Sequence, residues 1–149
     1  MKLTLNRLLG WIWQTYDDMM KSKTLSISVK SDPKAVYDFI SNLENLPRWA
    51  PSTFPSIKHV NGEWLVITPQ GQNKIKLTEK NNFGILDHYV KLTSEIEVYI
   101  PMRVVKNGDE SEIMLTVFQT PEMTDEVFLE DIKMVEKDLN NLKTIIEEG

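Results

Sequence analysis

Phe128, Ile132, Val135, Leu139, Leu142 and Ile146 recur at alternating intervals of four and three. That spacing puts them on one stripe of a helix running from about Thr124 to Glu147. Thr124 stands where an N-cap is needed, and Asp125 and Glu126 follow at the positive end of the helix. Burying the stripe is worth on the order of 10 kcal/mol gross, at about 1.5–3 kcal/mol for each large side chain. A helix this one-sided has to lie against an apolar sheet face.

The chain supplies such a face. Residues 24–30, TLSISVK, alternate Leu25, Ile27 and Val29 with small or polar neighbours, the pattern of a half-buried strand. Ser31-Asp32-Pro33 then signals a helix start, and Val36, Phe39, Ile40 and Leu43 share one side of the helix that follows. LENLPRWAPSTFP predicts a short, proline-broken second helix running into a loop.

Beyond it, Asn61-Gly62 and Asn107-Gly108 are two-residue hairpin signals, because both central positions of such turns need a positive φ. The first pairs IKHV with EWLVI. The second sets Lys106 opposite Asp109, Arg103 opposite Glu112, Met102 opposite Ile113 and Ile100 opposite Leu115. A turn at Asn82-Phe83 sets Ile75 opposite Val90, Leu77 opposite His88 and Thr78 opposite Asp87. A three-residue turn at 93–95 places Val90 by Val98, His88 by Ile100 and Lys91 by Glu97. Every strand then shows one apolar face.

With 149 residues the chain suits one domain, expected over residues 23–149. The composition is that of an ordinary globular protein, and the net charge of −5 without a Lys/Arg stripe argues against a nucleic-acid partner. Zero cysteines exclude disulfides, thiolate nucleophiles and Cys-based metal sites. A cytoplasmic location is the default expectation.

Residues 1–22 form a separate apolar N-terminal segment, MKLTLNRLLGWIWQTYDDMMKS. Asn6, Arg7 and Gly10 interrupt the run a signal peptide needs, and it falls short of the about 20 apolar residues of a membrane span. The segment reads as an amphipathic helix docking on the domain or on a second subunit, or as an interfacial membrane contact through residues 1–20. Met19 and Met20 offer alternative starts.

The order is strand, two helices, a run of antiparallel strands, then one long helix. With VYDFISNLENLPRWAP, NNFGILDHYV, IPMRVVKNGDESEI and EDIKMVEKDLNNLKTIIE, it resembles the SRPBCC or START-like superfamily, and within it bacterial polyketide cyclase/dehydrase-like proteins. The resemblance covers about residues 24–148. It implies an α+β helix-grip fold: a curved antiparallel sheet wrapped around the long C-terminal helix, with a mostly apolar cavity between them and two short helices closing one end. It also implies a hydrophobic partner, since members bind lipids, sterols, quinones, hormones or polyketides and a few act on them.

Asp87 and His88 are neighbours on one strand, so they point to opposite faces and cannot form a dyad with each other. Asp87 is expected on the outer face, in a surface ion pair with Arg103. His88 is expected inward and neutral, between Leu77 and Ile100. It reads as a satisfied core histidine, as a ligand-orienting group or as a general acid/base. Trp49, Trp64, Met102, Tyr37 and Phe54 are the other candidates for a ligand-binding wall.

No metal site or cofactor is expected, and no glycine-rich phosphate loop, GxSxG or HExxH is present. Three functions stay open. The first is binding of a small hydrophobic molecule in a cavity of a few hundred Å³ with His88 exposed inside. The second is a cyclase or dehydratase, for which the strands supply no convincing catalytic constellation. The third is a structural or interaction role, such as a homodimer, through the N-terminal segment.

Overall fold

The computed structural model describes residues 19–149. The expectations for the N-terminal segment lie outside the described residues.

Strand β1 (Ser22–Val29) leads into helix α1 (Pro33–Ser41). The helix starts where Pro33 presets φ and the Asp32 carboxylate accepts the Ala35 N–H at 3.0 Å. It buries Val36, Tyr37 and Ile40. A 3-10 turn (Leu43–Asn45) and the single-turn helix α2 (Leu46–Trp49) follow, burying Leu43, Leu46 and Trp49.

Five strands then form an antiparallel meander, β2 (Ser56–Val60), β3 (Glu63–Thr68), β4 (Gly71–Leu77), β5 (His88–Lys91) and β6 (Glu97–Ile100). Asn61 and Gly62 make the expected turn, with φ of 52° and 79°. Leu77 faces His88, Ile75 faces Val90, and Val90, His88 and Lys91 face Val98, Ile100 and Glu97, all in the predicted register.

Strands β7 (Met102–Asn107) and β8 (Glu110–Phe118) join β1 in a second, three-stranded sheet ordered β1-β8-β7. Pro101 is the reason for two sheets: it has no N–H for a ladder, so the chain bends there and passes from one sheet to the other. Bonds across the corner keep the surface continuous, with Leu86 N–H donating to Met102 O and Val104 N–H to Gly84 O, both at 2.9 Å. The predicted pairing of Ile100 with Leu115 is therefore corrected. Ile100 stays with His88, and Met102 faces Leu115.

The β7–β8 register is also two residues away from the expected one. Gly108 and Asp109 form the loop, while Asn107 remains in the strand opposite Glu110. Lys106 then faces Ser111 and Arg103 faces Met114, so neither predicted opposite-charge pair forms across the strands. A two-residue shift preserves which face each side chain occupies, so Met102, Val104, Ile113 and Leu115 are still buried together.

Helix α3 (Asp125–Glu148) is capped by Thr124, whose hydroxyl accepts the Val127 N–H at 3.2 Å. It packs against β1, β8 and α2. Phe128, Leu139 and Leu142 are buried, and Val135, Ile145 and Ile146 partly so. Its far end is tied to β1, where Lys143 Nζ donates to Ser28 O at 2.7 Å and Glu147 accepts the Lys30 N–H at 2.8 Å. The result is the expected α+β helix-grip fold: curved antiparallel sheets, a long C-terminal helix and short helices. No helix among the described residues is long and apolar enough to cross a membrane.

Candidate functional site

Asp87 and His88 part company as the alternation requires, and His88 lands inward between Leu77 and Ile100 as expected, whereas Asp87 keeps its expected partner Arg103 but is buried. Asp87 is only 4% exposed and is not in a surface pair. Its carboxylate accepts the Met102 N–H at 3.0 Å and the Tyr99 hydroxyl at 2.8 Å, and pairs with Arg103. Burial works against the charge, but the Met102, Tyr99 and Arg103 donors outweigh it and hold the pKa below the ordinary carboxylate value. Asp87 thus fastens the corner at Pro101, and the expectation missed this because the bend brings the donors onto it.

His88 is 2% exposed, and neither ring nitrogen has a hydrogen-bond partner among the described residues. Burial pushes its pKa down to about 4, against the smaller effects of the Leu86 backbone and the Asp87 charge. The ring is therefore neutral near pH 7, as expected. It is packed rather than exposed, and it lines neither of the two cavities described below.

A cavity of about 110 Å³ lies instead where α3 crosses β6 and β8 beneath α2. Trp49 and Ala50 close one side with Thr53 and Phe54 from the loop that follows. Val98, Tyr99 and Ile100 come from β6, and Leu115, Val117 and Phe118 from β8. Helix α3 contributes Asp131, Met134, Val135 and Asp138. Two Asn141 bonds hold α2 in place over it, its side-chain N–H donating to Arg48 O at 3.0 Å and to Trp49 O at 3.1 Å.

Of the six candidate residues, Trp49 and Phe54 are brought together on this wall. Met102 is fully buried in the core away from it. Tyr37 is buried under the loop between β4 and β5, where its hydroxyl accepts the Asn81 N–H at 3.0 Å. Trp64 borders a separate, more polar groove of about 420 Å³ with Leu43, Glu63, Lys74 and Leu77, and its ring stacks on His59 at 4.5 Å.

The two carboxylates of the cavity, and Thr53, are ones the sequence reading did not select. Asp138 is 4% exposed and accepts the Thr53 hydroxyl at 3.2 Å. Burial pushes its pKa up to about 6, against the Thr53 bond and the Lys137 charge. Asp131 is raised too, first by burial and then by Glu130. The indole N–H of Trp49 is buried with no partner among the described residues. A signal for the two carboxylates was present: Asp131, Val135, Asp138 and Leu142 follow one another at intervals of four, three and four, a face adjoining the apolar stripe.

No family model matches the chain, and no curated protein matches it in sequence. Solved structures do match in fold. The protein XoxI from Bacillus cereus aligns with a TM-score of 0.67 at 20% identity, over 85% of this chain and 96% of that one. The Aha1 dimer from Colwellia psychrerythraea gives 0.64 at 16% identity, over 86% and 97%. Ara h 8.0201 gives 0.58 at 11%, over 88% and 100%. At these identities the likeness is one of fold, and it agrees with the helix-grip architecture built above.

Proposed function

We propose that this protein binds a small hydrophobic molecule in the cavity between α3, β6 and β8. The observation that carries the reading is the cavity itself: an apolar chamber bordered by a few polar residues, Asp138, Asp131 and Thr53, is the usual makeup of a small-molecule site. A chamber serving only to pack would gain stability by closing, since lost contacts around a void are unfavourable. Trp49 and Phe54 form part of the wall in this reading, whereas His88, Met102, Tyr37 and Trp64 support the fold around it.

Tryptophan fluorescence titrated with ethylbenzene tests this. The natural protein is expected to give a saturable change, and Ala50→Leu, which fills the chamber from its buried wall residue, is expected to weaken it. Equal responses from both proteins would place the binding elsewhere.

A second reading, an enzyme acting on the bound molecule, is favoured by one observation. Asp138, with a pKa of about 6 in an apolar chamber, is suited to take up and release a proton near neutral pH. Thr53 beside it is the second polar group such a site would require.

A further inference from the structure

We infer that the molecule bound here is a small organic cation, an ammonium group on an apolar aryl or alkyl body, with Asp138 as its counter-charge. This rests on the binding reading above and gives it a ligand class. Among the described residues Asp138 makes no ion pair, and its one side-chain hydrogen bond comes from Thr53. Asp131 lies seven residues earlier, two turns along the same helix, and also makes no ion pair among them. Among the described residues no Lys, Arg or His lines the cavity, and the charged side chains on its walls are the carboxylates of Asp131 and Asp138.

A buried carboxylate facing apolar walls is poorly solvated, and a ligand cation restores what burial removes. An anionic ligand would meet both carboxylates, and a neutral hydrocarbon would leave Asp138 unpaired. The remaining walls suit an ammonium as well. Trp49, Phe54, Tyr99 and Phe118 supply aromatic rings, whose faces attract organic cations.

The test is isothermal titration near neutral pH with phenethylamine and phenethyl alcohol, a pair that differs mainly in the charged head. The natural protein is expected to prefer the amine by ~10-fold or more, the scale of a partly desolvated charge pair. Asp138→Asn keeps the side-chain volume and is expected to lose that preference while retaining the alcohol. Near-ultraviolet circular dichroism checks that its packing is intact, and Asp131→Asn, farther along the helix, is expected to reduce the preference only in part. Equal affinity of the natural protein for the two probes, or a preference that survives in Asp138→Asn, overturns the inference and leaves the cavity reading standing. Failure of both probes to bind the natural protein overturns both.

Discussion

His88 and Asp138 are the two buried titratable groups whose costs run in opposite directions with pH. The folded pKa of His88 is depressed to about 4 from an ordinary 6.5, so the unfolded chain binds the extra proton first. Its stabilising contribution is present above the ordinary value and is lost as pH falls from 6.5 towards 4, by roughly 3 kcal/mol in the limit. His88 also buries two unpartnered nitrogens beside Leu77 and Ile100. We therefore expect His88→Leu to be more stable than the natural protein by about 1 kcal/mol near neutral pH, with the gap widening below pH 6.5. Urea unfolding at several pH values measures this, and a destabilised His88→Leu at every pH would contradict it.

Asp138 behaves in the reverse sense. Its folded pKa is raised from 3.8 to about 6, so the fold holds the proton longer and stability declines as pH rises through that window. Asp138→Asn is expected to remove the decline and to gain on the order of 1–2 kcal/mol above pH 6, allowing for solvent screening. The same urea series checks it, and an unchanged pH profile would refute it. At this scale the sequence was legible in orientation and in the Asp87–Arg103 pair, but not in the burial of Asp87 or in its other donors. Alternation sent Asp87 and His88 to opposite faces, yet the donors that bury Asp87 are gathered by a corner in the chain that strand pattern does not encode.

Among the elements, the loop between β4 and β5 shows how much local structure one residue can hold. The Asn81 side chain accepts the Phe83 and Ile85 N–H groups at 2.9 and 3.1 Å and donates to Glu79 O and Ile85 O at 2.9 and 3.0 Å. Three residues on, Gly84 has a φ of 71°, and a Cβ there would lie 2.1 Å from the Val104 carbonyl oxygen. That oxygen belongs to rigid backbone in β7, and Gly84 O itself accepts the Val104 N–H. Gly84→Ala is expected to destabilise the protein by about 2 kcal/mol or more, from combined backbone strain and overlap. A thermal melt at the natural midpoint or above would contradict this.

Strand registers beside short, well-defined turns were readable from the side-chain pattern, as at Asn61-Gly62 and around Thr93. The β7–β8 register was not, because Asn107 and Gly108 imitate a turn that the chain makes one residue later. Lys106-Asp109 and Arg103-Glu112 looked like support for the wrong register, although Asp87 had also been named as the partner of Arg103, and that is the pair that forms.

At the scale of the whole molecule, the order of elements and the particular stretches that accompany it carried the resemblance that implied the helix-grip fold. The expected cavity between sheet and helix is present, with Trp49 at its wall, but most of the residues that line it were not named. The apolar stripe says which face of α3 is covered, whereas the chamber forms where that cover is incomplete, between Val135, Asp138 and the ends of β6 and β8. Incomplete packing depends on the relative placement of α2, α3 and two sheets, which no single segment determines.

The central claim, that this chamber takes a guest, is tested most directly by methyl NMR during an ethylbenzene titration. The account predicts saturable shifts at the methyls of Val98, Leu115, Val117 and Val135, with those of Val66 and Ile75 unmoved. Shifts centred on Leu43 and Leu77 beside Trp64, or no saturable shift at the four chamber methyls, would contradict it.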